Sequence, residues 1–154
     1  MFSANYDGDY TFAFDNIADY ELIQKKLYMI RSYTEKQCRF YVLVAFDRAD
    51  KYDDEFWKQD VFDCMKRCEL LFKYRCIPYI MRFEKFKDSR YVLLYNALAS
   101  WSNQPRFVKT FSLREFCELS DKQGNHARLR GLNQFLEKYP AFERYADMKF
   151  GEVI

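Results

Sequence analysis

Residues 40–46 read FYVLVAF, an unbroken run of apolar side chains. A strand with one wet face alternates apolar and polar positions. A run without alternation therefore suits a strand covered on both faces, as strands of a parallel sheet are. Two more segments share that character. Residues 10–14 (YTFAF) are short, aromatic and β-prone, and they fit a buried strand ended by Asp15 and Asn16. Residues 77–83 (IPYIMRF) carry Pro78 only near the start, where a missing ladder donor is tolerated.

The segments between these strands have helical periodicity. Asp19 is placed to cap a helix through about residue 31, with Tyr20, Ile23, Leu27 and Ile30 on one apolar face. After a charged loop at 47–54, residues 55–74 put Trp57, Val61, Cys64, Cys68 and Leu71 on one stripe. The order β-α-β-α-β, with a helix in each connection, predicts an α/β fold: a three-stranded parallel sheet joined by right-handed crossovers. C-terminal helices follow. Residues 90–102 carry Tyr91, Leu94, Leu98 and Trp101 on one side, and Asn103-Gln104-Pro105 stops them. A short extended piece is expected at 107–111. Ser112 and Glu115 in SLRE form a capping box. A last long helix is expected from 123 to about 139, with Leu129, Leu132, Leu136 and Tyr139 as its stripe. Pro140 ends it, and one more turn fits 141–148. The chain reads as a flexible lead at 1–9 and a single domain at 10–154, whose C-terminal helical portion covers about 112–148.

Composition narrows the function classes. The 25 basic and 23 acidic residues leave a net charge of +2, with no basic arm, so strong non-specific binding to nucleic acid is not expected. The first ten residues lack the basic and apolar regions of a secretory signal. With five cysteines, an odd number, this favours reduced thiols in a cytoplasmic protein with no membrane segment. Sixteen Phe, 13 Tyr and 2 Trp supply a core, with tyrosine to spare for an interface.

The strings FAFDN, YVLVAF, PYIMRFEKFKDS and YNALASWSNQPRFVKTFSLREFC resemble the C-terminal part of radical-SAM-like proteins, found especially in bacteriophages and other mobile elements. The resemblance covers roughly residues 10–120 and is most specific at 79–117. It implies half of a partial β/α barrel. It also implies a C-x3-C-x2-C motif for an iron–sulfur cluster, and this sequence has none. Without those thiolates nothing holds a cluster. No cofactor is expected for the chain alone. S-adenosylmethionine or an iron–sulfur cluster would enter only with a partner chain.

Two sets of residues are candidates for binding. Ligands of parallel α/β sheets sit beyond the carboxyl ends of the strands. Those ends carry Asp15 and Asn16, Asp47 and Arg48, and Arg82 and Glu84, a rim suited to a nucleotide-like ligand. The second set is Lys85, Lys87, Arg90, Trp101, Asn103, Gln104, Arg106, Phe107 and Lys109. Basic and aromatic residues interleaved in this way can hold a protein or a single-stranded nucleic acid. The same stretch also reads as an ordinary helix stop and turn. Cys64, Cys68 and Cys76 read as core thiols rather than zinc ligands, and His126 as a surface or cap residue. No catalytic residue and no metal site stands out. The resulting expectation is a non-catalytic binding protein of phage or mobile-element origin on a degenerate radical-SAM-like scaffold. Its partner would be a host or phage protein, for example a bacterial defence nuclease that it inhibits in the manner of an anti-CRISPR protein. One alternative is half of a split radical-SAM enzyme, and another is a single-stranded nucleic-acid-binding module. Because a half-barrel leaves sheet edges uncovered, a homodimer is a further expectation.

Overall fold

The computed structural model describes residues 10–151; the expected lead at 1–9 and the last three residues lie outside that range. Three parallel strands, β1 (Tyr10–Ala13), β2 (Cys38–Val44) and β3 (Ile77–Arg82), lie in the order β1-β2-β3. The helices α1 (Tyr20–Tyr33) and α2 (Asp54–Lys73) form the crossovers. The register sets Ala13 beside Tyr41 and Tyr41 beside Tyr79. The α/β architecture and the helical C-terminal half are thus as expected. No helix among the described residues is long and apolar enough to cross a membrane.

The expectation for β2 needs one correction. Its side chains alternate. Cys38, Phe40, Val42 and Val44 are fully buried, whereas Arg39 and Leu43 are half-buried and Tyr41 is exposed. Both crossover helices lie on the first side. Phe12 stacks near Phe40 (5.1 Å) beneath Lys26 of α1, and α2 packs on β2 and β3. An apolar run can therefore mark a strand whose second face is left uncovered. β1, expected to be buried, is an edge strand with Thr11 and Ala13 exposed.

The C-terminal half is helical: α3 (Val92–Ser102), α4 (Pro105–Val108), α5 (Leu113–Lys122), α6 (Ala127–Lys138) and α7 (Glu143–Ala146). α3 and α6 pack so closely that a Cβ at Gly131 would stand 2.7 Å from Leu93 Cβ, so only glycine fits. An aromatic cluster of Phe62, Tyr91, Phe135 and Phe142 joins α2 to this layer.

Several local expectations change. Asp19 makes no capping bond; Asn16 Oδ1 accepts from Ala18 N–H (2.9 Å) and caps a 3-10 turn (Ile17–Asp19) before α1. Residues 107–111 are not extended. Pro105 opens a helical turn, and Phe107 and Val108 N–H both bond Gln104 O. The final long helix starts at Ala127, because α5 ends in a Schellman turn. There Asn125 N–H reaches Ser120 O (2.9 Å), Gly124 N–H reaches Asp121 O, and Gly124 sits at φ +96°. The SLRE capping box is present in full, with Ser112 Oγ on Glu115 N–H and Glu115 on Ser112 N–H.

Candidate functional site

At the carboxyl ends of β1 and β2 a cleft of about 610 Å³ opens between the strand-end loops and α2. Of the expected rim, Asp15, Asn16, Asp47 and Arg48 line it. Arg82 and Glu84 do not. Arg82 turns to α3, where its guanidinium bonds Asn96 Oδ1 and stacks over Phe86 (4.8 Å), and Glu84 begins a 3-10 turn. The rim therefore comes from two strand ends, not three.

The floor is built by α2. Arg67 is 2% exposed. Its Nη1 donates to Phe14 O (2.9 Å) and Leu43 O (3.0 Å), tying the ends of β1 and β2 together, and its Nε donates to Asp63 O. Among the described residues no hydrogen bond uses Nη2. Asp60 Oδ2 accepts from Ala45 N–H (2.8 Å) and the Tyr95 hydroxyl (2.6 Å). Burial pushes the Asp60 carboxyl above its ordinary range, against the opposing pull of those two donors and the Arg67 charge. Burial and the Asp60 charge push the Tyr95 phenol up. Ala45 stands at φ +65°, a left-handed conformation costly for a residue with a Cβ, and the Asp60 bond holds it there. The loop after it is tied by Tyr52 Oη accepting from Asp47 N–H and Asp47 Oδ2 accepting from Lys51 N–H.

Asp60, Asp63 and Arg67 were missed in the sequence. Their signal was present: spacings of three and four place them on one side of α2, beside the apolar stripe.

The cleft opens next to the uncovered side of the sheet. Leu43 and Phe46 line it, and Leu43 belongs to the bare face with Arg39, Tyr41, Tyr79 and Met81. Tyr41 is 38% exposed and Met81 44%, large values for apolar strand residues. Tyr41 meets Tyr79 edge-on at 5.6 Å, and Arg39 stacks over Tyr79 (5.8 Å). The two sheet edges differ. On β3, Asn103 acts as a substitute strand: its Oδ1 accepts from Ile80 N–H (2.9 Å) and its Nδ2 donates to Ile80 O (3.2 Å), with Ser102 Oγ also on Ile80 N–H. On β1, Phe14 N–H bonds toward β2, leaving Thr11 and Ala13 to face outward; no strand among the described residues pairs with that edge.

The second expected surface is dispersed. Trp101 is wholly buried, with Nε1 donating to Phe111 O (2.9 Å), and Asn103 is spent on β3. Both are corrected from surface to structural residues. Lys85 lies over Tyr52 and Arg90 pairs with Asp54 (3.9 Å). Lys87 is exposed near them, before α3. Gln104, Arg106, Phe107 and Lys109 follow α3, with Arg106 over Phe107 and Phe107 packed on Phe116. The 11 residues of α3 separate the two groups by about 16 Å at 1.5 Å per residue. His126 is exposed and bonds Asp121 (2.6 Å). All five cysteines are buried and free.

Comparison with protein-family models, curated proteins and solved structures found no match.

Proposed function

We propose that this chain is a non-catalytic polypeptide-binding module, and that another protein chain covers its bare sheet face. The observation carrying this reading is the unequal finish of one sheet. One face is packed under two helices, and Asn103 meets Ile80 on the β3 edge, while the opposite face presents Tyr41, Tyr79, Leu43 and Met81, with Tyr41 and Met81 exposed. The aromatic face would supply apolar contact area to the partner chain. On a radical-SAM-like scaffold of phage or mobile-element origin, the partner would be a host or phage protein in the cytoplasm, a bacterial defence nuclease being the first to try. In the test, the tagged protein and a Tyr41→Asp/Met81→Asp variant are passed over candidate nucleases. Retention and inhibition by the wild type alone are expected, with matching melting curves for both chains. Equal behaviour of the two chains would remove the bare face from the account.

One observation favours a second reading, half of a split radical-SAM enzyme. The cleft lies at the strand ends, where such an enzyme works, and borders the bare face that a cluster-bearing partner would complete. Binding of S-adenosylmethionine only when a three-cysteine partner is added would support it.

A further inference from the structure

The two crossover helices cover one face of the sheet, and a parallel sheet ordinarily carries helices on both. The missing layer lies over three rows that the register sets side by side: Arg39 with Ile77, Tyr41 with Tyr79, and Leu43 with Met81. Successive rows are two strand residues apart, about 6.6 Å. One turn of a helix advances about 5.4 Å, so apolar side chains three or four residues apart on a helix meet successive rows. An extended segment laid on the same face would bring backbone N–H and C=O groups against apolar side chains without partners. A helix satisfies those groups within itself. Size points the same way. Three strands, with β2 seven residues long, make a face of roughly 15 by 23 Å, which accommodates one helix about 10–12 Å across. A second copy of the chain docking through this face would bury roughly 350 Å² on each partner, less than half of the ~800 Å² that a stable complex uses.

The face also differs in charge from end to end. At the carboxyl ends of the strands Asp15, Asp19 and Asp47 stand with Arg48 around the cleft that Leu43 and Phe46 line. At the opposite end the cation of Arg39 lies over the Tyr79 ring. A helix carries partial positive charge at its N-terminus and partial negative charge at its C-terminus. The complementary direction puts the N-terminus at the aspartates and the C-terminus at Arg39. That direction is antiparallel to the strands, the one α1 and α2 take on the covered face as they run back between parallel strands.

We propose that the partner's covering element is a single amphipathic α-helix lying antiparallel to the strands. Its apolar stripe rests on Tyr41, Tyr79, Leu43 and Met81, with basic residues in its first turn and acidic residues in its last. This inference rests on the docking reading above and names the chemistry of the partner. The sheet face supplies contact area, and the charges at its two ends set the direction of the helix.

The test uses an array of synthetic peptides of about 16 residues, long enough as helices to span the face, with varied apolar side chains. Each is made in three versions. The first has a helical apolar stripe, lysines in its first turn and glutamates in its last. The second exchanges the lysines and glutamates, and side-chain lactam bridges hold both equally helical. The third alternates apolar and polar residues, as a strand does. Binding of the labelled full chain is read at low and high salt. The first version is expected to bind roughly tenfold more tightly than the second, and the third least. Salt should narrow the first difference. The Tyr41→Asp/Met81→Asp variant should lose all binding while melting like the wild type. The Asp15→Lys/Arg39→Glu variant should prefer the second version to the first. Equal or tighter binding of the third version overturns the helix while leaving the docking face in place. Equal binding of the first two versions, or an unchanged preference in Asp15→Lys/Arg39→Glu, overturns its direction. A wild-type dimer in sedimentation that Tyr41→Asp/Met81→Asp abolishes also overturns the helix, because a second copy is then the occupant. If no peptide in the array binds, the helix is lost, and the retention of candidate nucleases decides the docking face by itself.

Discussion

Phe40 and Tyr41 are neighbours in the chain, yet they stand on opposite sides of one sheet with opposite surroundings. Phe40 is fully enclosed beneath α1 and α2, whereas Tyr41 faces out beside Tyr79. The β3 edge adds to the covered side, where the Asn103 side chain meets both Ile80 N–H and Ile80 O. The covered face carries the core, and the opposite face is left partly exposed and aromatic. The strand-end cleft lies where the two meet: Arg67 and Asp60 reach it from the covered side and Leu43 from the bare side.

The contrast breaks first at its centre. Phe40→Ala should cost about 3–5 kcal/mol, the usual range for emptying a buried phenylalanine site. Tyr41→Ala should stay within about 0.5 kcal/mol. Urea denaturation of the two variants measures both, and similar losses would mean that the bare face is part of the core. Arg67→Met comes next, at about 3 kcal/mol, because it leaves Phe14 O and Leu43 O without a donor and removes the cation beside Asp60. Thermal melting reads the loss. Asn103→Ala should cost about 1–2 kcal/mol, since Ser102 Oγ still serves Ile80 N–H but Ile80 O is left unpaired. It also frees part of the β3 edge, so sedimentation should detect more self-association in the variant than in the wild type.

The smallest effect depends on pH. Burial raises the folded-state pKa of Asp60 above its ordinary 3.8. The folded chain therefore holds that proton more tightly than the unfolded chain. The stabilisation is fully present below the unfolded value and is lost as pH rises through the folded one. Asp60→Asn keeps an acceptor for Ala45 and Tyr95 and removes this slope. Denaturation across the acid range should show the wild type losing stability relative to the variant as pH rises; parallel curves would mean that Asp60 titrates normally.

Some of this was legible without coordinates. The helical stripes of α2 and α3 lay where Trp57, Val61, Cys64, Leu94 and Leu98 predicted them, and all five are buried. The capping box was readable because it is a contact within four residues. Asp15, Asn16, Asp47 and Arg48 were found because a parallel sheet must present its strand ends together. Arg82 failed because its direction depends on Phe86 in the following 3-10 turn and on Asn96 of α3, which packs against β3 only in the folded chain. Trp101 and Asn103 looked like surface residues because a helix stop is polar and aromatic whether it meets solvent or a strand edge.

The sequence by itself determined the alternation of strands and helices, the parallel sheet it requires, and the caps and stops of most helices. These follow from periodicity and from bonds between residues a few positions apart. Tertiary structure alone decided which face of the sheet stays bare, which edge is closed, and how Arg67 and Asp60 meet the strand ends. An apolar strand reads the same whether one face or both are covered, and the hydrogen bonds that finish the β3 edge and hold Ala45 join residues 15 or more positions apart.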